Sequence, residues 1–110
     1  MFAKKLLLLS LSFGAAIATQ AATAKNLWLT NCSECHGTDG RGRTKEGKRL
    51  KLTDLTNKQV QDSVTDEQIF RITKHGLKDD EGTVMHPTSY RLSDDEIQTL
   101  VKHVRKFRKN

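Results

Sequence analysis

Apolar residues near the C-terminus recur every three or four positions, as they do on one face of an α-helix. These positions are Ile97, Leu100, Val101, Val104 and Phe107. Ser93 precedes the stripe and Glu96 comes three residues later, which is the spacing of a capping box at a helix N-terminus. The pattern therefore predicts a C-terminal helix with a buried apolar face and a basic face in solvent.

A second helical pattern lies earlier in the chain. Leu27, Trp28 and Asn31 fall on neighbouring turns, which predicts a helix over residues 25–35. Residues 37–51 hold four glycines, six basic residues and one apolar residue. This stretch is therefore expected to be a loop.

Two weaker helical patterns lie between these elements. Asp54 is placed to begin a short helix. Thr65 and Gln68 have the same capping-box spacing and predict the start of another helix, which is expected to end at Gly76. No alternation of apolar and polar residues is long enough to predict a strand. The chain is therefore expected to be all-α, with three to four helices joined by long loops.

The first 24 residues differ from the rest. Lys4 and Lys5 precede an uncharged apolar run over residues 6–18, and the small residues at 22 and 24 are typical of a cleavage site. The run is shorter than the roughly 20 residues that a membrane span needs. Residues 1–24 are therefore expected to be a signal peptide, cut between positions 18 and 24, with residues 25–110 as one domain. An uncleaved membrane anchor is the alternative.

Composition predicts that this domain needs an additional stabilising group. The chain has 110 residues, of which 35% are hydrophobic and 5% aromatic, and so small a domain builds only a thin core. An exported chain would usually gain stability from disulfides, but the only cysteines are Cys32 and Cys35. A bond between them would close too short a loop to hold the fold together.

The stretch Cys32-Ser33-Glu34-Cys35-His36 carries the candidate chemistry. Two thiols three positions apart at a helix end reach one edge of a haem and form thioethers, while the adjacent imidazole lies under the iron. A thioredoxin-like dithiol would be expected within a βαβ pattern, and a zinc site would need a second pair of ligands. The motif predicts one covalent haem c, with Cys32 and Cys35 as attachment sites and His36 as an axial ligand.

Four residues are candidates for the sixth iron ligand: Met85, His75, His86 and His103. Met85 lies in a polar stretch, where a core-filling methionine has little reason to be, and Pro87 favours extended backbone just before it. His75 is placed at a helix C-terminus, and His103 lies on or beside the apolar face of the last helix. Met85 is the predicted ligand, and its neighbour His86 is the main alternative.

Taken in order, these features resemble small monohaem class I cytochromes c of the short bacterial periplasmic kind. The resemblance runs over essentially the whole chain after the signal peptide. It covers the N-terminal helix that leads into the motif, and residues 32–37, 65–70, 84–87 and 92–97. It implies the cytochrome c fold around one covalently attached haem, in a periplasmic protein that is not an enzyme and shuttles single electrons with His36 and Met85 on the iron. The alternative function is a haem domain with a labile sixth site that binds small ligands or acts on peroxide.

Two features depart from the family pattern. Ala24, Trp28 and Leu100 match the residues that pack the first helix against the last. His103, however, stands where the family has an aromatic residue. The family also has a proline whose carbonyl accepts the proton of the proximal imidazole, and no proline lies between the motif and residue 85. Another backbone carbonyl is therefore expected to take that role.

The haem is also expected to complete the core. Six apolar residues are predicted to converge on it: Leu27, Leu50, Leu55, Ile72, Leu92 and Val101. The chain without haem is accordingly expected to fold poorly.

The formal net charge of +6 comes largely from two basic clusters. The loop cluster comprises Arg41, Arg43, Lys45, Lys48, Arg49 and Lys51, and the C-terminal cluster comprises Lys102, Arg105, Lys106, Arg108 and Lys109. They predict either solvated faces, with one or two residues neutralising haem propionates, or steering toward an acidic or membrane-bound redox partner. A monomer that does not bind nucleic acid is expected.

Overall fold

The computed structural model describes Ser10, Gly14 and residues 22–110. The predicted signal peptide over residues 1–24 lies largely outside the described residues, and it stays a prediction. In the part of the chain that is described, no helix is both long and apolar enough to cross a membrane.

Residues 22–110 form six helical segments and one antiparallel pair of strands. The helices are α1 (Ala24–Asn31), α2 (Ser33–His36), α3 (Lys45–Arg49), α4 (Lys58–Asp62), α5 (Asp66–His75) and α6 (Asp94–Lys106). The strands are β1 (Leu77–Asp79) and β2 (Gly82–Met85). Three of the helices have five residues or fewer. The all-α class is confirmed, with more and shorter helices than the three to four predicted.

The first and last helices pack together and form the core. The predicted capping box begins α6, since the Ser93 side chain accepts from Glu96 N at 3.2 Å and the Glu96 side chain accepts from Ser93 N at 3.0 Å. The core cluster consists of Leu27, Trp28, Cys32 and Leu100. Burial of these side chains stabilises the α1–α6 pair through the hydrophobic effect.

Aromatic rings close the interface between α1 and α6. The centroid of the Trp28 ring lies 5.4 Å from that of His103 and 4.9 Å from that of Phe107. His103 therefore keeps a ring contact at the position where the family has an aromatic residue. Phe107, the residue that follows the end of α6, adds a second.

The predicted helix over residues 25–35 is broken at Cys32. Its backbone angles, φ −127° and ψ −33°, lie outside the helical range, although its N–H still donates to Trp28 O at 2.9 Å. The Cys-x-x-Cys-His motif therefore spans a helix boundary. Cys32 ends α1, whereas Cys35 and His36 belong to α2.

Residues 37–51 are not entirely a loop, because α3 forms within them. Thr44 caps this helix by accepting from Gly47 N at 3.0 Å, and its hydroxyl donates to Cys35 O at 2.8 Å. A Cβ at Gly47 would collide with the carbonyl oxygens of Gly42 and Cys35. The short helix is thus held directly against the segment that carries the motif.

Asp54 does not begin a helix, contrary to the prediction. Its carboxylate accepts from Thr56 N at 2.8 Å and from Thr56 Oγ1 at 2.6 Å, which forms a turn. Asn57 caps α4 instead, accepting from Val60 N at 3.1 Å.

Helix α5 follows the sequence prediction at both ends. Thr65 and Gln68 form the expected capping box. Gly76 ends the helix with φ of 78°, in the left-handed region that glycine favours. His75 is the last helical residue, as expected.

The strands form a hairpin that the sequence did not indicate. Leu77 pairs with Met85 and Lys78 with Thr83. The strands have three and four residues, too few to show a recognisable alternation. Met85 is therefore the last residue of a strand rather than part of an extended loop.

Candidate functional site

A cavity of about 460 Å³ lies beside the α1–α6 core. Its size is within the range of small-molecule and cofactor pockets. Most of its lining is apolar, including Leu50, Leu52, Leu55, Ile69, Ile72 and Val104. Such a lining excludes water from a planar hydrophobic ligand.

The expected convergence of apolar residues is only partly seen. Leu50, Leu55 and Ile72 line the cavity. Leu27 belongs to the α1–α6 core, and Leu92 packs against that core. These two and Val101, which is buried, do not line the cavity.

Both cysteines of the motif line the cavity. Burial raises the pKa of Cys32 to about 11, against a smaller lowering by the charge of Arg91. Burial also raises the pKa of Cys35, and the charge of Glu34 adds to the effect. A redox-active dithiol needs a lowered thiol pKa. The pair therefore lacks the electrostatics of a thioredoxin-like site.

His36 also lines the cavity. Burial lowers its pKa, so the imidazole is neutral at neutral pH, which is the form that binds metal. The backbone around it is fixed by Trp28, whose Nε1 donates to Gly37 O at 2.9 Å. The Trp28 and His36 ring centroids are 5.7 Å apart.

One expectation about His36 was wrong. Its Nδ1 is buried, and no group in residues 22–110 forms a hydrogen bond with it. The backbone carbonyl that was expected to replace the family's proline carbonyl is therefore not found. Among the described residues, none supplies the hydrogen bond that would strengthen the imidazole as a ligand.

The segment at the end of β2 supplies two further donors to the lining. Met85 is half-buried and His86 is exposed, and both line the cavity. His75 and His103 do not line it. Among the four candidates for the sixth ligand, the structure brings only Met85 and His86 to the cavity of His36.

Arg91 is a lining residue that the sequence analysis did not single out. Among the described residues it is the only lysine or arginine of the lining. Its Nε donates to Asn31 Oδ1 at 2.7 Å, and its guanidinium lies 5.0 Å from the centroid of the Tyr90 ring. In the sequence, Arg91 follows Tyr90 and shortly precedes the helix cap Ser93, and no pattern there indicates a binding role for it.

Neither basic cluster contributes to the cavity lining, so the expectation that one or two of their residues neutralise haem propionates finds no support there.

Part of each cluster forms ion pairs. Arg49 pairs with Glu46 at 2.7 Å in the loop cluster. In the C-terminal cluster, Arg105 pairs with Asp66 at 2.6 Å and also donates to Val64 O at 2.6 Å. Arg105 thereby ties α6 to the N-terminal end of α5.

The residues of the cavity fit a covalently attached haem. Two thiols, a neutral imidazole and a thioether sulfur share one largely apolar cavity, and these are the groups that attach and ligate a haem c.

The comparisons with known proteins agree with this chemistry. The model of the family described as "Cytochrome C oxidase, cbb3-type, subunit III" matches residues 19–104. The chain belongs to this family of cytochrome c domains, which confirms its resemblance to small monohaem cytochromes c. Haem-based electron transfer is the activity of the class.

Solved structures support the same assignment. The "KustC0563 c-type cytochrome" is 31% identical to this chain with a TM-score of 0.71, over 80% of this chain and 100% of that one. A point mutant of the same cytochrome is 30% identical with a TM-score of 0.68, over 79% of this chain and 100% of that one. The cytochrome c fold is confirmed. No curated protein matches the chain.

Proposed function

We propose that the protein is a periplasmic electron carrier with one covalent haem c, attached at Cys32 and Cys35 and ligated by His36 and Met85. When bound, the haem supplies one-electron transfer between the ferrous and ferric states of its iron. The observation that carries the proposal is the shared cavity, to which the motif and the end of β2 both contribute.

The chain's own residues hold and tune the cofactor. Cys32 and Cys35 fix one edge through thioethers. His36 binds as a neutral imidazole, which its buried position favours. Met85 contributes a soft thioether sulfur, which stabilises the ferrous state and raises the reduction potential relative to two histidine ligands. The apolar lining keeps water from the iron.

Exposed basic residues provide the docking chemistry. Lys48 and Lys51 of the loop cluster and Lys102 and Lys106 of α6 are exposed. We infer that they steer the protein toward an acidic or membrane-bound redox partner, because opposite charge accelerates a transient encounter. The carrier acts as a monomer.

The absorption spectrum of the ferric protein tests the axial pair. A methionine-to-iron charge-transfer band is expected at long wavelength, and a high-spin spectrum would instead support the haem domain with a labile sixth site. Met85→Ala should remove the band, lower the potential, and let cyanide bind quickly.

His86→Ala is the matched control, since His86 lines the same cavity one residue away. It should leave both the band and the slow binding of cyanide unchanged. Loss of the low-spin spectrum in His86→Ala, with an intact spectrum in Met85→Ala, would show that His86 is the ligand.

A further inference from the structure

The carboxyl end of α5 lies against the backbone that follows Met85. Thr88 donates twice to Thr73 O, from its backbone N at 3.2 Å and from Oγ1 at 2.8 Å. Ser89 N donates to Lys74 O at 3.2 Å. The last carbonyls of a helix have no partner within the helix. The segment after Met85 therefore supplies hydrogen-bond donors to two of the last carbonyl groups of α5, those of Thr73 and Lys74.

Gly76 makes a second contact with the same segment. A Cβ at this position would collide with Met85 O and would lie only 2.9 Å from Pro87 N. The backbone of residues 85–87 thus rests directly on Gly76, with no room for a side chain. Gly76 also has φ of +78°, which a residue with a side chain rarely adopts.

These contacts fix the chain on both sides of Met85. Before it, the β1–β2 pairing joins Met85 to Leu77. After it, Thr88 is 2% exposed and its hydroxyl bond to α5 is buried. The hairpin itself is short, and its strand β1 is exposed along its whole length. The α5 end therefore restrains the chain after Met85 through a buried hydrogen bond, in addition to the pairing with the exposed strand β1.

We propose that Thr88 and Gly76 are positioning residues that latch the Met85 segment to α5 and so set how often the sixth ligand leaves the iron. The inference rests on the proposed role of Met85 as that ligand. Thr88 lines the cavity and Gly76 does not, and neither is assigned as an iron ligand. These two contacts act by lowering the conformational freedom of the backbone that carries the Met85 side chain.

The test compares hydroxyl variants of the ferric holoprotein. Thr88→Val keeps the shape of the side chain but removes the donor to Thr73 O, and Thr88→Ser keeps the donor. Loss of one buried hydrogen bond should raise the rate of cyanide or imidazole binding by about fivefold to tenfold. Thr88→Ser should bind within about twofold of the parent, a change below that of one hydrogen bond.

Thr56→Val controls for general destabilisation. Thr56 is 8% exposed, and its hydroxyl donates to Asp54 at 2.6 Å, away from the cavity lining. This variant also loses a hydroxyl hydrogen bond, in this case to a carboxylate, but should leave ligand binding and the methionine-to-iron band unchanged. Equal rates of ligand binding in Thr56→Val and Thr88→Val would overturn the latch.

Alanine substitutions at Gly76 and Gly82 test the positioning role independently of Thr88. They provide the test if Thr88→Val does not fold. Gly76→Ala should weaken the methionine-to-iron band and speed ligand binding. Gly82→Ala meets a similarly unfavourable φ of +126° but open space, so it should do neither. Identical behaviour of the two variants would refute the latch, whereas a parent protein without the band would refute Met85 as the ligand.

Discussion

Replacing Trp28 with phenylalanine removes an indole N–H from the core while keeping an aromatic ring. Trp28 is 2% exposed, and its Nε1 donates to Gly37 O at 2.9 Å. Loss of this hydrogen bond costs about 1 kcal/mol. Gly40 N also donates to the same carbonyl at 3.3 Å, so the oxygen is not left without a partner. The smaller ring leaves space against Phe107, which adds about 1 kcal/mol.

The expected loss is therefore about 2 kcal/mol in the free energy of unfolding. Guanidinium titration of the ferric holoprotein, followed by far-UV circular dichroism, measures it. Leu29→Ala on the same helix is the control, because Leu29 is 41% exposed and exposed substitutions change stability by less than about 0.5 kcal/mol. If Trp28→Phe lost no more than this control, the indole bond to Gly37 and the ring packing against Phe107 would not stabilise the fold.

Two further predictions concern the cofactor and the partner. Cys35→Ser should leave at most one thioether, and the intact protein should carry the mass of one haem; haem that extracts completely from the parent into acidic organic solvent would contradict covalent attachment. Electron-transfer rates to an anionic partner should fall as salt rises, because the Debye length shrinks to about 10 Å at 0.1 M. A rate that does not change with ionic strength would leave the basic clusters as solvated faces.

The signals that predicted helix ends correctly are local in sequence. The Ser93–Glu96 and Thr65–Gln68 capping boxes and the terminal Gly76 all act within a few residues, so the sequence alone identifies them. The cap of α4 was assigned wrongly because Asp54 and Asn57 are both good acceptors. A local turn decides between them, since the Asp54 carboxylate already accepts two hydrogen bonds from Thr56.

The site residues also divide into those that the sequence alone identifies and those that only the fold brings together. Cys32, Cys35 and His36 are adjacent in the chain, so their spacing alone shows which chemistry they can share. The sixth ligand lies far along the sequence, and local patterns favoured Met85 but kept its neighbour His86 as the main alternative. The structure brings Met85 and His86 to the cavity, through a hairpin whose strands are too short for sequence to reveal.

The missing partner of His36 Nδ1 is a further result that pattern reasoning did not reach. The departure from the family's proline was visible in the sequence, but its consequence depended on whether a neighbouring carbonyl lay within reach. In the folded chain none forms the bond among the described residues.

The pairing of α1 with α6 also governs when the thiol of Cys32 is accessible. Trp28 and Cys32 are covered by a core that includes Leu100, so this core cannot close until α6 has been synthesised. Cys32 is only 8% exposed once it has closed. If the haem is attached at Cys32 as proposed, attachment is therefore expected before α6 packs against α1, whereas Cys35 remains partly exposed in the folded chain.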